Sequence, residues 1–203
     1  SCNLVMKIIL VIPDGLSQKN LDFKISKTYQ SVLDLSIKES KLTSATICLL
    51  PGNKFGSSNF EQFLALDYLI NKNIKPELIF IGKSKGGKYL TTRDNFLMAI
   101  KYGFQSYIDN KIIFLNEQII KGDYTLISSH LHIDRALLIL NANYFKKPNQ
   151  ILVSYSNEDQ FITRRLFYYQ FPIIRMIYEC FLMTGLFFEI KLKSSQKTFK
   201  NIN

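Results

Sequence analysis

A chain of 203 residues with 47% hydrophobic composition is long enough for one domain with a full core. Its net charge of +10 places +4 on residues 191–203, which hold Lys191, Lys193, Lys197 and Lys200 and no acid, and so +6 on the remainder. Such an excess fits an anionic ligand, a membrane surface, nucleic acid or simply a solvated surface. Cys2, Cys48 and Cys180 lack metal-like spacing and both histidines fall in one turn, which argues against a structural zinc site and for a reducing, cytoplasmic setting.

Residues 5–12 form a short β-branched run that stops at Pro13-Asp14-Gly15, the pattern of a buried strand and a turn. The run is too short to span a bilayer and has no small-residue cleavage site, so no signal peptide is expected. Ile25, Tyr29, Val32, Leu33, Leu35 and Ile37 recur at roughly helical spacing over residues 25–39. A second strand over 45–50, with Cys48 as a small buried residue, ends at Pro51-Gly52-Asn53. Ser57-Ser58-Asn59 then offers a cap for a heavily buried helix over 60–71. Pro76 precedes a third strand at 78–81, followed by the glycine- and lysine-bearing stretch 82–88. Thr91 or Thr92 caps a helix from Arg93 to about Ser106, and residues 111–120 fit either a strand or a short helix. A fourth strand at 124–127 passes through Ser128-Ser129-His130 into a helix reaching Leu140. A fifth at 151–155 leads into a long helical region.

Residues 166–190 are strongly apolar but interrupted by Pro172, Arg175 and Glu179. Arg175 and Glu179, four apart, are expected to pair along one helix face. A buried or dimer-forming helix is expected here rather than a transmembrane one, with membrane-surface attachment through 166–203 as a further option. Strands alternating with helices through short turns imply a mostly parallel sheet covered on both faces. The expectation is one three-layer α/β domain over 1–190, with a helical C-terminal region at 160–190 and a basic, flexible tail at 191–203.

In such sheets the ligand crevice lies outside the carboxyl ends of the strands. That rule selects the loops at 13–15, 52–56, 82–88, 128–132 and 154–159. Gly52 and Gly82 follow strands closely, where a missing Cβ lets a ligand reach the backbone. Gly82, Lys83 and Ser84 open a stretch that either cradles a phosphate or is a solvated loop; it lacks the P-loop spacing. The stretch 128–136 is denser in chemistry. Ser128 and Ser129 end a strand before open helix amides that favour an anion. His132 and Arg135 share a helix face, so Arg135 can grip a phosphate or carboxylate while His132 donates a hydrogen bond or moves a proton. The alternative is a capped helix whose Arg135 pairs with a nearby acid. His130 and His132 diverge on a helix and make a poor metal pair. A Ser-His-Asp hydrolase is disfavoured, because the Gly-x-Ser-x-Gly elbow is missing.

Ser128-Ser129-x-x-His132-x-x-Arg135-Ala136 after an apolar strand resembles the signature of the YdcF/SanA/ElyC-like family, a bacterial group of unknown function with a Rossmann-like fold. Leu49-Leu50-Pro51-Gly52, Ile79-Phe80-Ile81-Gly82 and Thr92-Arg93-Asp94-Asn95 resemble its remaining motifs in order, over about residues 45–155. The family's usual arginine after the first glycine turn is absent, with Glu61-Gln62 nearby, and the second strand ends Gly82-Lys83. No N-terminal anchor is expected, and in that the chain resembles the soluble YdcF type. The resemblance implies a nucleotide-like ligand, with S-adenosylmethionine suggested for that type, or a role in envelope metabolism.

Together these readings lead us to expect a soluble enzyme, a transferase or hydrolase, or a binding protein for a small anionic, nucleotide-like ligand. His132 and Arg135 would act on it; Gly52, Asn53, Gly82, Lys83, Ser84, Asn95, Ser128 and Ser129 would bind it. The alternative is an envelope-associated factor handling lipid-linked or cell-wall intermediates. Nucleic acid is the least favoured partner, since no recognised motif accompanies the charge.

Overall fold

The structure, a computed structural model, describes residues 6–19, 22–55, 59–84, 90–143, 145–156 and 172–200. The first half of the chain contains β1 (Ile8–Val11), β2 (Leu16–Lys19), β3 (Asp22–Ile25), α1 (Lys27–Thr43), β4 (Thr46–Leu49), β5 (Lys54–Phe55), β6 (Asn59–Phe60), α2 (Glu61–Asn71) and β7 (Ile79–Gly82). Then come α3 (Thr92–Tyr102), β8 (Phe104–Ser106), β9 (Ile112–Ile113), α4 (Asn116–Lys121), β10 (Thr125–Ser129), α5 (Ile133–Ala142), β11 (Gln150–Ser154) and α6 (Pro172–Lys200).

The main sheet runs β11-β10-β1-β4-β7-β8-β9, parallel from β11 to β7 and antiparallel at the β8 and β9 edge. Numbered by occurrence, the parallel strands lie in the order 3-2-1-4-5, the doubly wound arrangement in which the chain works outward from its first strand, then returns to that strand's other side. The expected Rossmann-like, three-layer α/β fold is therefore present. The reversal falls between β1 and β10, which pair through Ile9–Thr125, Leu10–Leu126 and Val11–Ile127.

Side-chain alternation along the strands fills both faces. Ile9, Val11, Ile47 and Leu49 pack with α1 and α2, while Ile8, Leu10, Cys48 and Leu50 pack with α3, α4 and α5. Leu186 of α6 joins the second cluster, so α6 is seated on the α5 side.

Several boundaries differ from expectation, each for a local reason. Residues 16–19 and 22–25 pair as the antiparallel β2 and β3 before α1, whose cap is Ser26 accepting from Tyr29 N–H at 3.0 Å. The third helix stops at Tyr102 because Gly103 has φ +73°, and Phe104–Ser106 leaves as a strand. Residues 111–120 hold both β9 and the start of α4. Helix α2 begins at Glu61 behind Phe60, which makes no side-chain cap; Ser57 and Ser58 lie outside the described residues. The stretch 85–89 and residues 157–171 also lie outside them. Helix α6 continues to Lys200 rather than ending near 190, since no proline or glycine follows Gly185. Among the described residues no helix is long and apolar enough to cross a membrane.

Candidate functional site

Outside the carboxyl ends of β1 and β10, at the reversal of strand order, lies a cavity of about 370 Å³. Asp14 enters it from the turn after β1. That turn is fixed because Ser26 Oγ donates to the Asp14 carbonyl at 2.8 Å and Ser26 N–H donates to the Gly15 carbonyl at 3.1 Å. Gly15 takes φ +85°, a conformation few other residues adopt readily. From the other side comes His132, the residue immediately before α5, with Nε2 3.0 Å from Asp14 Oδ1. The two meet across the switch point, and Asp14 is only 2% exposed.

Arg135 settles the ring's roles. Its Nη2 lies 2.5 Å from His132 Nδ1, and a guanidinium can only donate. Nδ1 is therefore the acceptor, and the proton sits on Nε2, the nitrogen 3.0 Å from Asp14 Oδ1. His132 and Asp14 thus stand in contact at the inner end of the cavity.

A second buried carboxylate stands in the same cavity. Glu61 starts α2, is 4% exposed, and accepts backbone N–H groups from Asn53, at 2.5 Å, and from Gly15. Burial pushes its carboxyl up to about 7, with Asp14 adding to the rise and the two backbone donors opposing it. Behind the carboxylates, Tyr29 is fully buried, and its hydroxyl is raised well above its ordinary value by burial and by Glu61 and Asp14.

The polar wall opposite is latched rather than free. Asn53 Nδ2 donates to the Leu90 carbonyl at 3.1 Å and its Oδ1 accepts from Leu90 N–H at 2.5 Å, tying the loop after β4 to the start of α3. Asn95, with its amide nitrogen turned inward, donates to Thr91 O at 3.1 Å and Pro51 O at 3.0 Å.

Helix α6 closes the mouth. Glu179 takes both Arg135 contacts, at 2.7 and 3.0 Å, and Glu189 takes Arg93 through two parallel bonds of 2.9 and 2.5 Å. The expected Arg175–Glu179 pairing involves a side chain outside the described residues; Glu179 itself faces inward onto Arg135, where a buried carboxylate needs a cation. Leu182 and Leu186 fill the space between the two clamps and give the cavity an apolar side.

Of the residues singled out in the sequence, Asn53, Asn95, His132 and Arg135 line this cavity. Gly52, Gly82, Lys83, Ser84, Ser128 and Ser129 do not. A Cβ on Gly52 would meet Glu61 Cβ at 2.5 Å, and one on Gly82 would strike the Pro51 ring, so both glycines answer to packing by protein atoms. Ser128 and Ser129 are fully buried in β10, their hydroxyls without a partner among the described residues. His130 points elsewhere: its ring stacks on Tyr155 at 5.4 Å and its N–H donates to Ser154 O at 2.9 Å. Sequence reasoning passed over Asp14, Glu61, Arg93, Glu179 and Glu189. Asp14 sat in a loop already selected by its position after the first strand. Glu179 and Glu189 carried a signal too, since acids in an apolar helix require partners.

No protein-family model, curated protein or solved structure matches the chain.

Proposed function

We propose that the chain is a small-molecule enzyme whose crevice at the β1–β10 switch point takes an anionic, nucleotide-like ligand and transfers protons on it. The observation that carries this reading is the Asp14–His132 contact of 3.0 Å across the strand-order reversal, with Glu61 near 7 in the same cavity. Such reversals are where open α/β sheets hold ligands. Two carboxylates in different environments divide the work of acid and base. Asp14, 3.0 Å from His132 Nε2, is the base. Glu61 is protonated for about half of the molecules at neutral pH and is the acid. Arg135 and Arg93 supply the anion contact, the ligand's carboxylate or phosphate taking the place that Glu179 or Glu189 holds in the closed crevice. The resemblance to the YdcF-like group makes S-adenosylmethionine the first candidate, with adenosine nucleotides next.

Calorimetry with S-adenosylmethionine, adenosine monophosphate and adenosine diphosphate tests this. One of them is expected to bind wild type, and Arg135→Ala to weaken it at least tenfold. Glu61→Gln is expected to keep binding while removing the dependence on a group near pH 7. Binding of every candidate unchanged by Arg135→Ala would end the proposal.

A further inference from the structure

Helix α6 carries apolar side chains on its outer face as well as its inner one, whereas a surface helix of a globular protein confines its apolar stripe to the core side. Its acids, Glu179 and Glu189, are directed inward onto Arg135 and Arg93. Its outward strip consists of Ile173, Ile177, Phe181 and Phe188, flanked by Met176 and Phe187, and all are exposed. Ile173, Phe181 and Phe188 are 70%, 74% and 61% exposed, so the strip is open along its whole length. From Ile173 to Phe188 it extends about 22 Å at the helical rise. Scattered exposed apolar residues need no explanation, but a continuous strip marks an interaction surface.

The charge that follows the strip selects the partner. Lys191 is exposed beside Phe187, with Nζ 4.9 Å from the ring centroid, and Lys193, Lys197 and Lys200 follow with no acid among residues 190–203. A second copy of the chain, pairing α6 with α6, would bring these lysines no acid in return, because both carboxylates of the helix are spent on the domain's own arginines. Anionic lipid headgroups do complement them. An apolar face of aromatic and aliphatic side chains, with Lys191 beside it and a lysine-rich stretch following in sequence, supplies the two components of binding at a bilayer interface. We infer that the outer face of α6, with the lysines from Lys191 onward, docks on an anionic membrane surface and lies on the bilayer rather than across it. This rests on the helix's outer face and not on the crevice chemistry proposed above. It also gives the paired glutamates a structural purpose: they hold the inner face of α6 to the domain while the outer face meets lipid.

The test is flotation of the full chain with vesicles of phosphatidylcholine alone and of phosphatidylcholine with phosphatidylglycerol. Wild type is expected to float with the anionic vesicles, to be released by raised salt, and to ignore the neutral ones. The double variant Phe181→Ser/Phe188→Ser is expected to lose at least tenfold in partitioning, with circular dichroism confirming that it folds. Should it fail to fold, Lys191→Gln/Lys193→Gln/Lys197→Gln carries the test, with a loss of roughly fivefold per lysine. No flotation with anionic vesicles overturns the inference. So does flotation that neither variant reduces, or a strip that instead mediates a dimer, seen by light scattering as a doubled mass that the phenylalanine variant abolishes.

Discussion

The two halves of the sheet end in loops that look alike in sequence and behave differently. After β4 and β7 the chain turns at Pro51-Gly52-Asn53 and at Gly82-Lys83-Ser84, and the glycines are packed against protein. Gly52 lies under Glu61, and Gly82 under Pro51 with Leu49 O 2.9 Å from where a Cβ would stand. After β1 and β10 the chain turns at Pro13-Asp14-Gly15 and at His130-Leu131-His132, and charged side chains meet across an opening. Adjacent strands wound in one direction carry their crossovers to the same face, so their loops pack together; only where the winding reverses do the loops part. A glycine at a strand end is therefore ambiguous between a ligand's approach and a neighbour's, and position relative to the reversal resolves it.

The sharpest way to break this contrast is Gly82→Ala. The new methyl would meet backbone, Pro51 N at 2.8 Å and Leu49 O at 2.9 Å, neither of which can swing aside. A loss of about 3 kcal/mol in unfolding free energy is expected from urea titration, without selective loss at the crevice. A near-neutral result would mean that the loop after β7 has the freedom attributed here only to the switch point.

Next in size is the pH dependence set by Glu61. Its carboxyl is raised from 4.5 unfolded to about 7 folded, so its contribution is fully present below about pH 4.5 and is lost as pH rises through about 7. Glu61→Gln cannot ionise. Relative to wild type, its stability is expected to climb across that window and to level off above it with an advantage of roughly 3 kcal/mol. Denaturation of both proteins between pH 4 and 9 measures the difference; a gap that stays constant with pH would remove Glu61 as a buried acid. A carboxylate kept at such a cost to stability is the usual mark of a working residue.

How far the sequence could have led is decided by the range of the interactions. Alternation of β-branched runs with helical spacing is local, and it was enough for the parallel core and both helical layers. The β2–β3 pairing was missed because Leu16-Ser17-Gln18-Lys19 and Asp22-Phe23-Lys24-Ile25 mix polar and apolar residues without a strong period. The turn of chain at Gly103 was missed because one glycine inside a helical pattern is a weak stop until its φ is seen. His132 and Arg135 were legible as a pair because they are three residues apart. The Asp14–His132 contact, spanning most of the domain, depends on β1 and β10 being neighbours, which no local pattern states. The same holds for the contact between Glu179 and Arg135, which lie 44 residues apart in sequence.

The clamps on α6 compare the same two halves at smaller cost. Glu179 holds Arg135 on the switch-point side, where both side chains are about one-seventh exposed, at 15% and 13%. Glu189 holds Arg93 on the side of the packed glycines, with 33% and 27% exposed. Water weakens the second pair more, so Glu179→Gln is expected to cost about 2 kcal/mol, and Glu189→Gln about 1 kcal/mol with greater sensitivity to salt. Hydrogen exchange along α6 separates them further. Loss of the Glu179 clamp is expected to raise exchange around Tyr178 and Leu182, opening the cavity at His132, whereas loss of the Glu189 clamp is expected to loosen the helix beyond Leu186 and leave Asp14 and His132 covered. Equal exchange in both variants would show that Leu182 and Leu186, rather than the two ion pairs, keep the crevice shut.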